Sequence, residues 1–160
     1  MQSDALYHLR PLVAADAGEV AALIRQAFAA QSVVTDPLPS ALKESAESVA
    51  ATLGKGGGAG AFAGADLVGS VLWQAQEGGL YLGRLSVRVG WRGHGIARAL
   101  VAATEDAARG LGLPKVILST RLMLADNRRL FASCGFRETT RHAHPGYAVA
   151  TFVDMEKSLA

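Results

Sequence analysis

The run LSVRVGWRGHGIARALV, Leu85 to Val101, passes from a strand through a basic, glycine-bearing turn into a helix. Downstream, Ile96, Leu100, Val101, Thr104, Ala107, Ala108 and Leu111 form a helical stripe that closes at Gly110, Gly112 and Pro114. Upstream, apolar residues alternate at Leu80 and Leu82 and resume at Leu85, Val87 and Val89, so the strand Leu80–Val89 slips phase by one residue near Gly83 and Arg84. A β-bulge accounts for the slip; it breaks the ladder and leaves backbone N–H groups free to meet a ligand. Between strand and helix, Arg92-Gly93-His94-Gly95-Ile96-Ala97 brings together unpaired helix-start amides, a partial positive charge and glycines that admit close backbone approach. That is anion-binding chemistry, which dinucleotide folds and phosphate loops share.

Working outward, Leu6 to Leu12 reads as a first strand. Asp16, with Glu19 three residues on, resembles a capping box opening a helix through Val20, Leu23, Ile24, Ala27 and Phe28. Gln31 to Pro39 is turn-rich. A second helix follows Ser40 with the stripe Leu42, Ala46, Val49 and Leu53, ended by Gly54. Gly56, Gly57, Gly58 and Gly60 read as a flexible loop. Ala61–Ala63 and Leu67–Trp73 form strands around a Gly64-Ala65-Asp66 turn. After the central helix, Lys115–Thr120 is an apolar strand. Asp126 or Asn127 then caps a short helix through Leu130, Phe131 and Cys134, with Gly135 as its stop. Phe136–Arg141 and Val149–Met155 close the chain as strands. This order implies a mixed sheet flanked by helices.

A chain of 160 residues, half hydrophobic and 19% charged, has the composition of one globular domain, residues 1–160. No apolar run reaches the length of a membrane span, and Met1 to Arg10 carries charge where a secretory signal would be apolar, so a cytoplasmic location without a membrane partner is expected. A net charge of +2 is too mild for a nucleic-acid partner. Charge placement says more: Arg84, Arg88, Arg92, Arg98, Arg121, Arg128 and Arg129 fall in one stretch, where a small polyanion could be held. The single cysteine, Cys134, excludes an internal disulfide and a multi-cysteine zinc site, and no metal is expected.

The run Leu85–Val101 resembles the coenzyme A signature of the GNAT superfamily of N-acetyltransferases, an Arg or Gln followed by x-x-G-x-G/A after a bulged strand; Arg92, Gly95 and Ala97 match it. RRLFASCGF resembles that family's last helix, and TFVDMEKSL its closing strand. The resemblance spans nearly the whole chain. It implies an α/β fold with a mixed, mostly antiparallel central sheet, helices on both faces and a bulged central strand. It also implies acetyl-CoA as co-substrate, an amine acceptor and room for a homodimer. Under it, amides of Leu85, Ser86 and Val87 hold the pantetheine and acetyl carbonyl. Gly93, His94, Gly95, Ile96, Ala97 and Arg98 wrap the pyrophosphate, with Asn127 and Phe131 beside the thiol end. Donors aimed at a carbonyl that gains charge under attack stabilise it by a few kcal/mol, and holding both substrates together supplies much of the rest.

Three positions depart from the family pattern. Phe131 stands where many members carry a tyrosine acid; Ser119 where some carry a glutamate base; and the usual helix-start asparagine aligns with Leu124, with Asn127 about a turn later, as a cap or as a ligand contact. A thiol of pKa ~8.5 leaves acceptably without an acid, but an alkyl amine of pKa ~10.4 must lose a proton. Candidates for that task are His144 and Tyr147 of the last hairpin and Glu44 of the second helix, with His142 spaced to share His144's side of a strand. Cys134 reads as core and His94 as a passenger on a turn whose backbone does the binding. Two other readings remain: a coenzyme A-binding sensor without turnover, motivated by Phe131 and Ser119 together, and a dinucleotide oxidoreductase. The latter lacks an acidic ribose partner, since Arg109–Leu113 occupies that place.

Overall fold

The computed structural model describes residues 6–31 and 33–159. The elements run β1 (His8–Pro11), α1 (Ala17–Ala29), α2 (Ala46–Lys55), β2 (Gly57–Ala63), β3 (Asp66–Gln76), β4 (Gly79–Val87), α3 (Ile96–Gly110), β5 (Lys115–Arg121), α4 (Ala125–Ser133), β6 (Arg137–His142) and β7 (Phe152–Ser158). Seven strands form one sheet in the order β1-β2-β3-β4-β5-β7-β6, antiparallel throughout except for the parallel β4–β5 pair. The expected mixed, mostly antiparallel sheet with helices on both faces is what forms.

Two cores result. On one face Ile96, Leu100, Val101 and Ala108 of α3 and Phe131 of α4 pack against Val71, Leu80, Leu82, Leu118 and Met155. On the other, Val20, Leu23 and Ile24 of α1 and Val49 of α2 meet Phe62, Leu67 and Leu72. The α3 stripe ends as its glycines require: Gly112 turns at φ 72°, and the Leu113 amide donates back to the Ala108 carbonyl at 2.9 Å. Leu111, counted in the stripe, lies beyond the helix and is exposed.

Several local expectations are corrected. The Gly56–Gly60 segment is not a loop, for Gly57, Gly58 and Gly60 belong to β2, deep in the sheet. A Cβ at Gly58 would stand 2.6 Å from the Val71 carbonyl oxygen, which excludes a side chain there, and one at Gly60 would press the Phe62 and Leu12 side chains at 2.7 and 2.8 Å. Asp16 does not cap α1 with its side chain; it ends a 3-10 turn, receives Arg10 at 2.9 and 3.0 Å and accepts the Val13 amide at 2.8 Å. The helix expected after Ser40 is split into a 3-10 turn, Ser40–Lys43, and α2, which Ser45 and Ser48 cap by exchanging side-chain and backbone hydrogen bonds. Gly54 lies inside α2, which ends one residue later. Neither Asp126 nor Asn127 caps α4, whose N-cap is Leu124. The last two strands are shifted, β6 by one residue and β7 by three, because Val149 sits in the exposed connection between them.

Candidate active site

β4 and β5 are neighbours in the sheet but pair only at Leu80↔Val116 and Tyr81↔Ile117. Beyond Tyr81 the two strands part, and the C-terminal half of β4 presents an edge in mid-sheet. On its other side β4 pairs with β3 at Leu72↔Gly83 and then at Ser70↔Ser86, so Arg84 and Leu85 together oppose the single Val71. This is the bulge expected from the phase slip. Arg84 takes φ 55°, the left-handed region that non-glycine residues avoid by roughly 1–2 kcal/mol. Its side chain is held from outside the sheet: Nε donates to Glu44 Oε2 at 2.7 Å and a terminal nitrogen to Ser40 Oγ at 3.1 Å.

The parting opens a cleft with two lobes, about 620 and 490 Å³, that share Phe28, Gln31, Leu85, Leu124 and Asn127. Ser86, Val87, Arg92 and Ala97 line the smaller lobe. Next to it lies the turn into α3, where Gly90, Gly93 and Gly95 take φ 96°, 85° and 78° and a Cβ at Gly90 or Gly93 would meet open space. Glycine is what lets the backbone expose its amides there. Ile96 is buried and its side chain belongs to the core, so only its backbone can face a ligand. The His94 ring lies 5.5 Å from that of Trp91, while its carbonyl accepts Tyr7 Oη at 3.3 Å. The seven arginines do not form one anion site. Arg84 and Arg128 bind Glu44 and Glu138, Arg129 binds Asp126, and Arg88 donates to the Leu67 carbonyl at 2.9 Å. Arg92 lines the smaller lobe, and Arg98 on α3 reaches Cys134 Sγ at 3.8 Å.

The larger lobe is walled by Phe28, Trp73, Tyr81 and Phe152 and also receives Glu44, Arg84, Ser119, Arg121, Phe131 and His144. Along β5 and β7 the side chains alternate: Leu118, Val153 and Met155 bury under α3, and Ser119, Arg121, Phe152 and Asp154 emerge on the other face. Ser119 Oγ donates to Asp154 Oδ1 at 2.7 Å, and Asp154 Oδ2 meets His142 Nε2 at 2.7 Å. Glu44 accepts from Arg84 and from Ser48 Oγ, which occupies both its oxygens. Tyr147 does not line the lobe; its hydroxyl donates to Asp36 at 2.5 Å, and that bond, first among the causes, raises its pKa above 10.0. His144 is half-buried, with Nδ1 hydrogen-bonded to Thr151 Oγ1 and its ring 4.8 Å from Phe152. Desolvation first and the Arg121 charge second hold its pKa below 6.5. His142 stacks on the same Phe152 at 5.0 Å.

Phe131 is buried against Phe136 and brings no hydroxyl to the lobe. Asn127, inside the first turn of α4, lines both lobes. Arg121, which donates to the Pro37 and Leu38 carbonyls at 2.5 and 3.4 Å, was not singled out from the sequence beyond its membership of the arginine run. Nor was Asp154, although the alternation of β7 sets both it and Phe152 on the face opposite the core.

The sequence matches the profile of the Acetyltransferase (GNAT) family over residues 8–136. A search of curated proteins found no match. Among solved structures, yncA of Salmonella typhimurium, determined with its cofactor acetyl-CoA, superposes with a TM-score of 0.76 at 16% identity, over 99% of this chain and 95% of that one. The PaiA N-acetyltransferase of Thermoplasma acidophilum in complex with coenzyme A gives 0.76 at 18% identity, over 95% and 98%. The ribosomal-protein-S18-alanine N-acetyltransferase of Escherichia coli gives 0.73 at 18%, over 96% and 94%. At such identities the superpositions speak for the fold, and the profile match over most of the chain speaks for the family. The chain belongs to the Acetyltransferase (GNAT) family and is an acetyl-CoA-dependent acyltransferase.

Proposed function

We propose that this enzyme moves the acetyl group of acetyl-CoA to a primary amine of a small molecule or peptide by direct attack in a ternary complex. The observation that carries this reading is the parting of β4 from β5 at a bulge, with a glycine turn and helix start on one side and a polar-and-aromatic pocket on the other. Backbone groups of Leu85, Ser86 and Val87, on the half of β4 that parts from β5, hold the pantetheine arm and polarise the acetyl carbonyl. Backbone groups of Gly93 to Arg98, with the Arg92 and Arg98 side chains, hold the pyrophosphate. Asn127 and Phe131 border the thiol end. Acetyl-CoA supplies the activated acyl group; the protein supplies position and charge.

His144 is the group we assign to remove the amine proton. It lines the larger lobe, Thr151 engages one ring nitrogen, and its depressed pKa keeps it neutral and able to accept a proton at pH 7. Glu44, bonded to Arg84 and Ser48, instead braces the bulge, and Tyr147 clasps Asp36 across the pocket's rim. As the amine nitrogen bonds to the acetyl carbon, the carbon–sulfur bond breaks. The electron pair leaves on sulfur and the proton passes to His144. Phe131 donates nothing, so the thiolate departs unassisted, which a thiol pKa of ~8.5 permits.

Thiol release from acetyl-CoA over a panel of amines tests the assignment. Turnover on at least one acceptor is expected. Tight acetyl-CoA binding with no release on any of them is the result that would instead indicate a coenzyme A-binding sensor, the reading that a phenylalanine at 131 and a serine at 119 favour. We place the protein in the cytoplasm; among the described residues no helix is long and apolar enough to cross a membrane.

A further inference from the structure

Three side chains of the charged types line the larger lobe, Glu44, Arg84 and Arg121, one acid against two bases. Glu44 and Arg84 neutralise one another at 2.7 Å. Arg121 has no carboxylate in an ion pair with it among the described residues; its two bonded nitrogens, Nη1 and Nη2, go to the Pro37 and Leu38 carbonyls. Burial works against the charge of Arg121, and Asp36, the acid near enough to favour it, spends an oxygen on Tyr147. A guanidinium has five N–H donors in a planar fork suited to a carboxylate, and two carbonyl contacts leave N–H groups over. His144, which we place at the lobe's reacting end, carries no negative charge in either protonation state.

We infer that Arg121 receives a carboxylate on the acceptor, so that the enzyme acetylates amines that carry a carboxylate on the same small molecule beside an apolar or aromatic body. This rests on the acetyltransferase reading above and narrows its substrate. The apolar body follows from the walls, Phe28, Trp73, Tyr81 and Phe152, in a lobe of about 620 Å³. The cation does a second job. A positive charge beside an acceptor ammonium disfavours the protonated amine, as it disfavours protonated His144, and so eases the loss of the proton that blocks attack.

The test titrates coenzyme A-saturated protein calorimetrically with L-phenylalanine, L-phenylalaninamide and phenethylamine, which share a body and differ in the carboxylate, with the corresponding leucine series alongside. Thiol release from acetyl-CoA is then measured with the same compounds. The expected result is that the free acids bind at least about tenfold more tightly than their amides or decarboxylated amines, as loss of a charge-assisted pair implies. In Arg121→Gln that ratio collapses towards one, and in Arg121→Lys it falls between. The amide's amine is the less basic, so any bias from deprotonation runs against this outcome in the kinetic arm. Because Arg121 also ties the 37–38 backbone, the wild-type series decides even if the variants fold poorly. Equal or weaker binding of the acids, no binding of either series, or a preference that survives Arg121→Gln overturns the inference. A carboxylate preference in binding without thiol release upholds Arg121 as the carboxylate's partner and overturns acetyl transfer to these acceptors.

Discussion

An alkyl ammonium cannot attack a thioester until it loses a proton, and the surroundings of His144 suit the base role proposed for it. Burial and the Arg121 cation both penalise its charged form, so its lone pair persists below pH 6.5. As pH falls through the His144 pKa the proposed base is lost, and the acidic limb of kcat/KM is expected below the ordinary histidine value of 6.5. Replacing Arg121 by Gln removes one of the two influences and should move that limb to higher pH, read from the pH–rate profile. His144→Gln should lower kcat/KM by about 10²–10⁴ with the acetyl-CoA Kd unchanged, the span typical of a lost general base. Stability follows another pair. Hydrogen bonds from Arg10, first, and from the Val13 amide hold the Asp16 carboxyl below 3.8. A depressed acid contributes stability that is complete above its unfolded pKa and lost as pH falls through its folded one. Asp16→Asn should therefore flatten the dependence of Tm on pH below about pH 4, the ordinary carboxylate range, in melting scans.

At the scale of elements, the bulge and the turn after it do the positioning. Gly95 caps α3 at φ 78°. Gly95→Ala forces a side chain into the left-handed region at roughly 1–2 kcal/mol and should weaken coenzyme A binding in calorimetry more than it alters the far-ultraviolet dichroism. Gly58→Val in β2 drives Cβ to 2.6 Å from a backbone oxygen that cannot yield, so a loss of about 1–3 kcal/mol in denaturant unfolding is expected. The bulge was legible because apolar alternation changes phase within one strand, a signal written in side chains. Ala61–Ala63 was legible as a strand, but the start of β2 was not, because Gly57 to Gly60 carries almost no side chain to alternate, and its small residues answer to close packing by β3 and Leu12 rather than to chain flexibility. The caps failed similarly. Asp16 had an arginine six residues earlier to bind, and that partner outcompeted the helix end.

Taken whole, the molecule is a sheet wedged apart at one seam and clasped across it by ties distant in sequence, Arg121 to the 37–38 backbone, Tyr147 to Asp36 and Arg84 to Glu44. Filling the wedge should stabilise the entire fold by mass action. Acetyl-CoA at a hundred times its Kd is expected to add about 2.7 kcal/mol, seen as a concentration-dependent rise in Tm. The profile match ends at residue 136, before β6 and β7, whereas the pocket's last wall, His144 and Phe152, comes from the hairpin beyond it. Local pattern alone determined the order of elements, the bulge, the α3 stripe and the glycine turn before α3, because period and phase along a strand or helix are properties of neighbouring residues. Tertiary structure alone decided which charges meet: that Glu44 and Tyr147 are occupied elsewhere, that Asp154 backs Ser119, and that Arg121 stands in the pocket with no carboxylate in an ion pair with it among the described residues. The pairings of Glu44 with Arg84, Tyr147 with Asp36 and Ser119 with Asp154 join residues 35 to 111 positions apart, and only the completed sheet sets the distances between them.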